Sequence, residues 1–212
     1  MCIKLADKSN LFHNYHYSSG QSGMIMKYFE VRRHTMRRKY ENCRSGTKKP
    51  GKHLSQTGID LARRLGDEMR AENNAPFHGV ITSKKSRAIE TAICFGFEVD
   101  IFSKSLGYLP EKIYKKSKWP KDFGRISQAA KKHKSVLKYA KQQADVLALH
   151  IEQIEDGQTI LGVSHGGIME LMAIGAFPNE NHQNWGQVFD YCEGFRLARD
   201  GDQWLGIEIL RV

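Results

Sequence analysis

Two histidines and two arginines in this 212-residue chain stand where side chains can do chemistry. His34 comes just after the run Tyr28-Phe29-Glu30-Val31, and His165 directly follows Thr159–Ser164; both runs read as short buried strands. Arg33 precedes the first histidine, and Arg87 comes shortly after Val80-Ile81-Thr82-Ser83, a further strand-like run. The end of a strand is held rigidly by its sheet, while the loop that follows leaves the side chain reachable. In a parallel sheet these ends share the carboxyl edge, where such folds hold their ligands. Two imidazoles and two guanidiniums at one edge make a compact cationic pocket suited to an oxyanion.

The intervening segments read as the elements that position these groups. Ser55 or Thr57 can cap a helix whose Leu61, Leu65 and Met69 lie four apart on one face. Residues 27–52 before it include a basic loop with Pro50 and Gly51. Ser86–Ala92 begins a second helix that ends near Gly96. An apolar stripe at Ile126, Ala130, Leu137, Ala140, Ala144, Leu147, Ile151 and Ile154 predicts one long amphipathic helix packed on the core. Ile168–Ala173 is helix-like, and Asp200-Gly201-Asp202 is a turn signal between Phe195–Ala198 and Trp204–Ile209, predicting a closing hairpin. Strands alternating with helices imply an α/β sheet with helices on both faces.

The formal charge is +10, and its distribution is uneven. Residues 112–141 carry eleven basic side chains against Asp122 alone, an excess equal to the whole net charge. Residues 27–52 hold about +8 and residues 142–212 about −8, so the chain is dipolar and does not fit a histone-like or fully disordered class. Residues 1–25 are polar and are expected to form a flexible N-terminal arm, with residues 26–212 as a single domain. No apolar stretch reaches the roughly 18 residues of a membrane span, and the N-terminus lacks the apolar core of a signal peptide; a cytoplasmic location is the expectation. Cys2, Cys43, Cys94 and Cys192 have neither zinc-site spacing nor disulfide density and read as free thiols.

Four motifs in order resemble the histidine phosphatase superfamily, whose fold is phosphoglycerate mutase-like. Val31-Arg32-Arg33-His34-Thr35 is similar to its Arg-His-Gly signature, with Thr35 where glycine is usual. Leu54-Ser55-Gln56-Thr57-Gly58, with Ala62 and Leu65-Gly66, looks like its Leu-Ser-x-x-Gly helix start. Thr82-Ser83 with Arg87-Ala88 and Thr91-Ala92 matches its Ser-x-x-x-Arg-Ala-x-x-Thr-Ala block, and Val163-Ser164-His165-Gly166-Gly167 its second-histidine loop. The resemblance spans residues 26–212 and implies a three-layer α/β/α sandwich around a mostly parallel sheet. It also implies that residues 97–141 are a basic, lid-like insertion.

By that resemblance the chain is a metal-independent phosphatase needing no cofactor. His34 is the nucleophile, forming a phosphohistidine that water hydrolyses. Arg33, Arg87 and His165 surround the phosphoryl oxygens, and Arg37 matches a second phosphate-binding arginine found in some branches. The general acid is the weakest match: the region reads Ser105-Leu106-Gly107-Tyr108-Leu109-Pro110-Glu111, which makes Glu111 a candidate by a shifted alignment. Glu90, Asp100 and Glu170 read as exposed helix or loop charges. A missing acid would favour good leaving groups, as in a phosphohistidine or phosphoprotein phosphatase. A mutase is disfavoured because the long block of a glycolytic mutase is absent. The expected partners are a small phosphorylated substrate or a phosphoprotein, with no membrane. The alternative class is a non-catalytic basic module binding phosphoprotein or nucleic acid; a third, disfavoured class is a nucleic-acid enzyme, with Tyr114, Trp119 and Phe123 among the lysines to stack bases.

Overall fold

The computed structural model describes residues 26–41, 48–72 and 77–212. The N-terminal arm expected at 1–25, with Cys2, and Cys43 lie outside the described residues. A six-stranded sheet is built from β1 (Lys27–Arg33), β4 (Gly79–Ser83), β5 (Ile101–Ser103), β6 (Thr159–Ser164), β7 (Gly194–Asp200) and β8 (Gln203–Leu210), in the order β5-β4-β6-β1-β7-β8. The pairs β5–β4, β4–β6 and β6–β1 are parallel, whereas β1–β7 and the hairpin β7–β8 are antiparallel. The mostly parallel α/β sheet expected from the sequence is therefore present, extended at one side by the closing hairpin.

Strand alternation divides the core into two layers. Phe29, Val31, Ile81 and Ile160 face a cluster completed by α4 (Phe123–Lys132), α5 (Lys134–Ile151) and α6 (Ile168–Ala176). Val80, Leu161 and Val163 face a second cluster with α1 (Gln56–Glu72) and α2 (Ser86–Cys94), through Ala62, Leu65, Ala88 and Ala92. On β1 the residues alternating with Phe29 and Val31 are Glu30 and Arg32. Glu30, fully buried, accepts from Arg32 Nε at 2.6 Å and from Arg196 Nη2 at 2.6 Å, a cross-strand pair that fixes the β1–β7 register.

Three expectations change. The basic loop is a two-stranded hairpin, β2 (Arg37–Glu41) with β3 (Lys48–Leu54), outside the main sheet. The long amphipathic helix is two helices, broken at His133, whose extended backbone (φ −115°, ψ 99°) ends α4 and starts α5. A straight helix over 126–154 would run roughly 43 Å; the break lets α4 pack on residues 182–185 while α5 packs on α6. Residues 105–117 add a short 3₁₀ turn at Ser105–Gly107 and α3 (Glu111–Ser117). Among the described residues, no helix is long and apolar enough to cross a membrane. Cys94 and Cys192 are free thiols.

Candidate active site

The carboxyl ends of β1, β4 and β6 meet at one edge of the sheet. Arg33 pairs in register with Ser164, and His34 N–H donates to the Ser164 carbonyl at 3.0 Å, which brings the two histidine loops side by side. The imidazole centroids of His34 and His165 lie 5.0 Å apart. Both rings are buried.

The loop holding His34 is clamped between two helices. Ser55 caps α1, accepting from Gly58 N–H at 3.1 Å, and donates its own N–H to the Met36 carbonyl at 3.0 Å. A Cβ on Gly58 would fall 2.4 Å from the Met36 carbonyl oxygen, so only glycine permits this approach. Thr35 donates its N–H to Thr91 Oγ1 of α2 at 3.1 Å and its hydroxyl to the Gly58 carbonyl at 3.1 Å. The threonine side chain is thus spent on α1.

The tautomer of His34 follows from its partners. Nδ1 lies 2.7 Å from the Thr35 carbonyl, which can only accept, so Nδ1 carries the hydrogen. Nε2 lies 3.0 Å from Arg87 Nε, which can only donate, so Nε2 presents its lone pair. Burial pushes His34 down to about 3; the Thr35 carbonyl pulls upward, and Arg87, Arg33 and Arg37 push further down. The ring is neutral at physiological pH.

His165 Nε2 lies 2.6 Å from Ser83 Oγ, at the end of β4. Ser83 Oγ also accepts from Lys85 N–H at 3.3 Å, so its hydrogen is available to His165 Nε2; in that arrangement the ring hydrogen lies on Nδ1. That Nδ1 is buried and has no protein partner. Burial, then Arg87, His34, Lys85 and Arg33, push His165 down to about 2. Ser83 is a member of the site that sequence reasoning quoted within a motif without assigning it a role.

Three guanidiniums face the histidines. Arg87, at the start of α2, is lowered to about 10 by burial and by Arg37 and Arg33. Arg37, the first residue of β2, has a buried Nε with no protein partner, and so does Arg33. Arg33 donates Nη1–H to the Phe189 carbonyl at 2.6 Å, and its guanidinium carbon lies 4.9 Å from the ring centroid of Tyr191 and 5.9 Å from that of Trp119. The charges acting on His34 are all cationic. Mutual repulsion among cations with unused donors is relieved by binding an anion there.

Glu111 is exposed at the start of α3, and its carboxylate pairs with Lys115 at 2.5 Å. Glu90 accepts from Leu54 N–H at 2.8 Å and pairs with His53, and Asp100 accepts from Val80 N–H at 2.7 Å. Glu170 departs from its expected exposure: it is fully buried, because Gly167 N–H, Phe189 N–H and Trp119 Nε1–H all donate to it. Burial pushes its carboxyl up, opposed by the Gly167 donor, Arg33 and Trp119. The available signal was a single acid in an otherwise apolar helix, Ile168-Met169-Glu170-Leu171-Met172.

The basic segment borders the site. A Cβ on Gly166 would meet Trp119 Cζ2 at 2.8 Å, and one on Gly167 would meet Leu109 Cδ2 at 3.0 Å, so both side chains pack on the His165 turn. Lys112, Lys115, Lys116 and Lys118 are exposed beside them. Of the aromatic residues in this segment, Phe123 is not available for stacking, since it is fully buried against Trp185 and Phe189.

Solved structures with this arrangement of strands and helices include a phosphoserine phosphatase in complex with 3-phosphoglyceric acid from Entamoeba histolytica, with a TM-score of 0.59 at 16% identity over 87% of this chain and 97% of that one. A phosphoglycerate mutase from Bacillus anthracis str. Sterne gives 0.55 at 14% identity over 87% and 92%. A mycobacterial glucosyl-3-phosphoglycerate phosphatase gives 0.52 at 14% identity over 87% and 98%. At such identities the likeness is one of fold. No curated protein matches the chain by sequence. The sequence profile of the histidine phosphatase superfamily (branch 1) matches residues 33–208, from the first arginine of the site to the last strand. A match over that length, carrying both histidine turns in order, means that the chain belongs to the histidine phosphatase superfamily.

Proposed function

We propose that this protein hydrolyses a phosphomonoester or phosphoramidate by phosphoryl transfer to His34 Nε2 and then to water. The observation that carries the reading is the neutral His34 ring, with Nδ1–H held by Thr35 and the Nε2 lone pair directed toward Arg87. In the first step the lone pair attacks phosphorus and forms a P–N bond. The bond from phosphorus to the leaving oxygen or nitrogen breaks, and its electron pair leaves with that atom. Arg33, Arg37, Arg87 and the Nδ1–H of His165 stabilise the charge on the remaining phosphoryl oxygens. Water then attacks phosphorus, the P–N bond returns its pair to Nε2, and a proton passes to solvent. The chemistry requires no metal or cofactor.

The charges that act on His34 are those of Arg87, Arg33 and Arg37, and the Asp190 carboxylate near Arg33 is exposed; in this reading the leaving group departs without a carboxylic acid's proton. Activated substrates, including phosphohistidine, acyl phosphates and aryl phosphates, suit such a site better than alkyl esters. Glu111→Gln should therefore change aryl phosphate hydrolysis by less than about twofold, since an exposed pair such as Glu111–Lys115 has little energetic weight. A loss of about a hundredfold or more, confined to poor leaving groups, would identify Glu111 as the general acid instead.

The basic segment acts in this reading as a lid that selects polyanions. Replacing Lys115, Lys116 and Lys118 with Gln should raise KM several-fold for multiply charged substrates, roughly the sum of exposed charge interactions, and leave singly charged ones unchanged. An equal effect on all substrates would return these lysines to plain solvation. A panel of phosphorylated metabolites, nucleotides and phosphopeptides, assayed with wild type and His34→Ala, tests the reaction itself. Retention of a bound phosphoprotein or nucleic acid without phosphate release would favour the binding-module alternative.

A further inference from the structure

Glu170 connects three segments at the edge of the site. One carboxylate oxygen, Oε2, accepts from Gly167 N–H at 2.6 Å, holding the turn that follows His165. The other, Oε1, accepts from Phe189 N–H at 3.2 Å and from Trp119 Nε1–H at 3.4 Å. The same Phe189 residue offers its carbonyl to Arg33 Nη1–H at 2.6 Å, and the Trp119 ring lies against the Arg33 guanidinium. The carboxylate thus reaches Arg33 by two routes, one through a peptide unit and one through an indole.

A fully buried carboxylate costs stability unless its lone pairs are satisfied, and all the groups addressing Glu170 here are donors. A hydrophobic residue would suit the apolar helix α6 better if packing alone were served. Among the described residues Arg33 forms its ion pair with the exposed Asp190 at 3.9 Å, and Phe189, Trp119 and Tyr191 contact its guanidinium from the buried side.

We infer that Glu170 is a positioning residue: its buried carboxylate orients Arg33, through Phe189 and Trp119, in the geometry that binds the phosphoryl group. The role rests on the reading of this edge as a phosphoryl site, and its test is therefore a binding measurement that needs no turnover. Inorganic phosphate is the probe, titrated calorimetrically into wild type, Glu170→Gln, Arg33→Ala and the double variant. In Glu170→Gln size is kept while the charge is lost, and the amide NH₂ must face either Gly167 N–H or both the Phe189 and Trp119 donors.

Glu170→Gln should weaken phosphate binding about tenfold in the wild-type background and by less than about twofold when Arg33 is already alanine, since coupled residues act non-additively. An equal loss in both backgrounds, or none in either, overturns the role. Should Glu170→Gln fail to fold, Trp119→Phe removes one donor but keeps a ring. It is expected to weaken phosphate binding about threefold, again only with Arg33 present. Unchanged binding in Trp119→Phe also overturns the role. If phosphate binding responds as stated while no aryl phosphate is hydrolysed, the positioning role holds and the proposed reaction alone fails.

Discussion

Replacing His34 with alanine is expected to lower aryl phosphate hydrolysis by about a thousandfold or more, the scale seen when a nucleophile is removed and only binding groups remain. The reason is the absence of a substitute nearby. Arg33, Arg37 and Arg87 are cations without a lone pair to offer, and His165 serves in this reading as a hydrogen-bond donor to the phosphoryl oxygens. The variant should still bind inorganic phosphate, because the guanidiniums remain. Two measurements check this: steady-state turnover, and recovery of ³²P on the wild-type chain as an acid-labile, alkali-stable adduct absent from His34→Ala. Turnover in the variant within about tenfold of wild type would place the nucleophile elsewhere.

The second large effect concerns acid stability. His34 sits at about 3 and His165 at about 2 in the folded protein, against an ordinary value near 6.5 in the unfolded chain. Between pH 6.5 and those values the unfolded state binds more protons than the folded one, so stability rises with pH through this window. The stabilisation is complete above about pH 6.5 and is lost progressively as pH falls toward 3. Each unit of difference corresponds to about 1.4 kcal/mol, so the two rings together account for several kcal/mol, a large part of a domain's usual stability. Urea midpoints should fall steeply from pH 7 to pH 4, and the slope should flatten in a His34→Asn, His165→Asn double variant. Saturating phosphate should flatten it as well, since an anion beside the imidazoles favours their charged forms. An unchanged slope in the double variant would show that other groups govern acid unfolding. Over the same range turnover should show no acid limb from either imidazole above about pH 4, because both rings are already neutral.

Much of the site was legible before any coordinates. His34, His165, Arg33 and Arg87 sit at strand ends or helix starts, and such positions are marked by local apolar runs and short motifs. Parallel pairing of β1 with β6 and β4 then brings them together with little freedom. Arg37 joins them because the loop from His34 leads directly into β2. The hairpin of β2 and β3 was harder to read, since Arg37-Arg38-Lys39-Tyr40-Glu41 and Lys48-Lys49-Pro50-Gly51-Lys52-His53-Leu54 carry no apolar alternation to announce it. The break at His133 was hidden for a related reason. An apolar stripe continues in phase across two helices, and only the limited size of the core decides that they must turn.

What the sequence by itself determined was the alternation of β1, β4 and β6 with α1, α2 and α6 and the closing hairpin, the pocket's histidines and arginines, and the dipolar placement of charge, because each depends on neighbours along the chain. Tertiary structure alone decided the fate of the carboxylates and aromatics. Glu170 is buried by donors 51 and 19 positions away, Ser83 meets a histidine 82 positions on, and Phe123 is enclosed by Trp185 and Phe189. Glu111, the acid offered only by a shifted alignment, is exposed beside Lys115. A polar side chain is buried or exposed according to the partners that distant segments bring to it, and no local pattern encodes those partners.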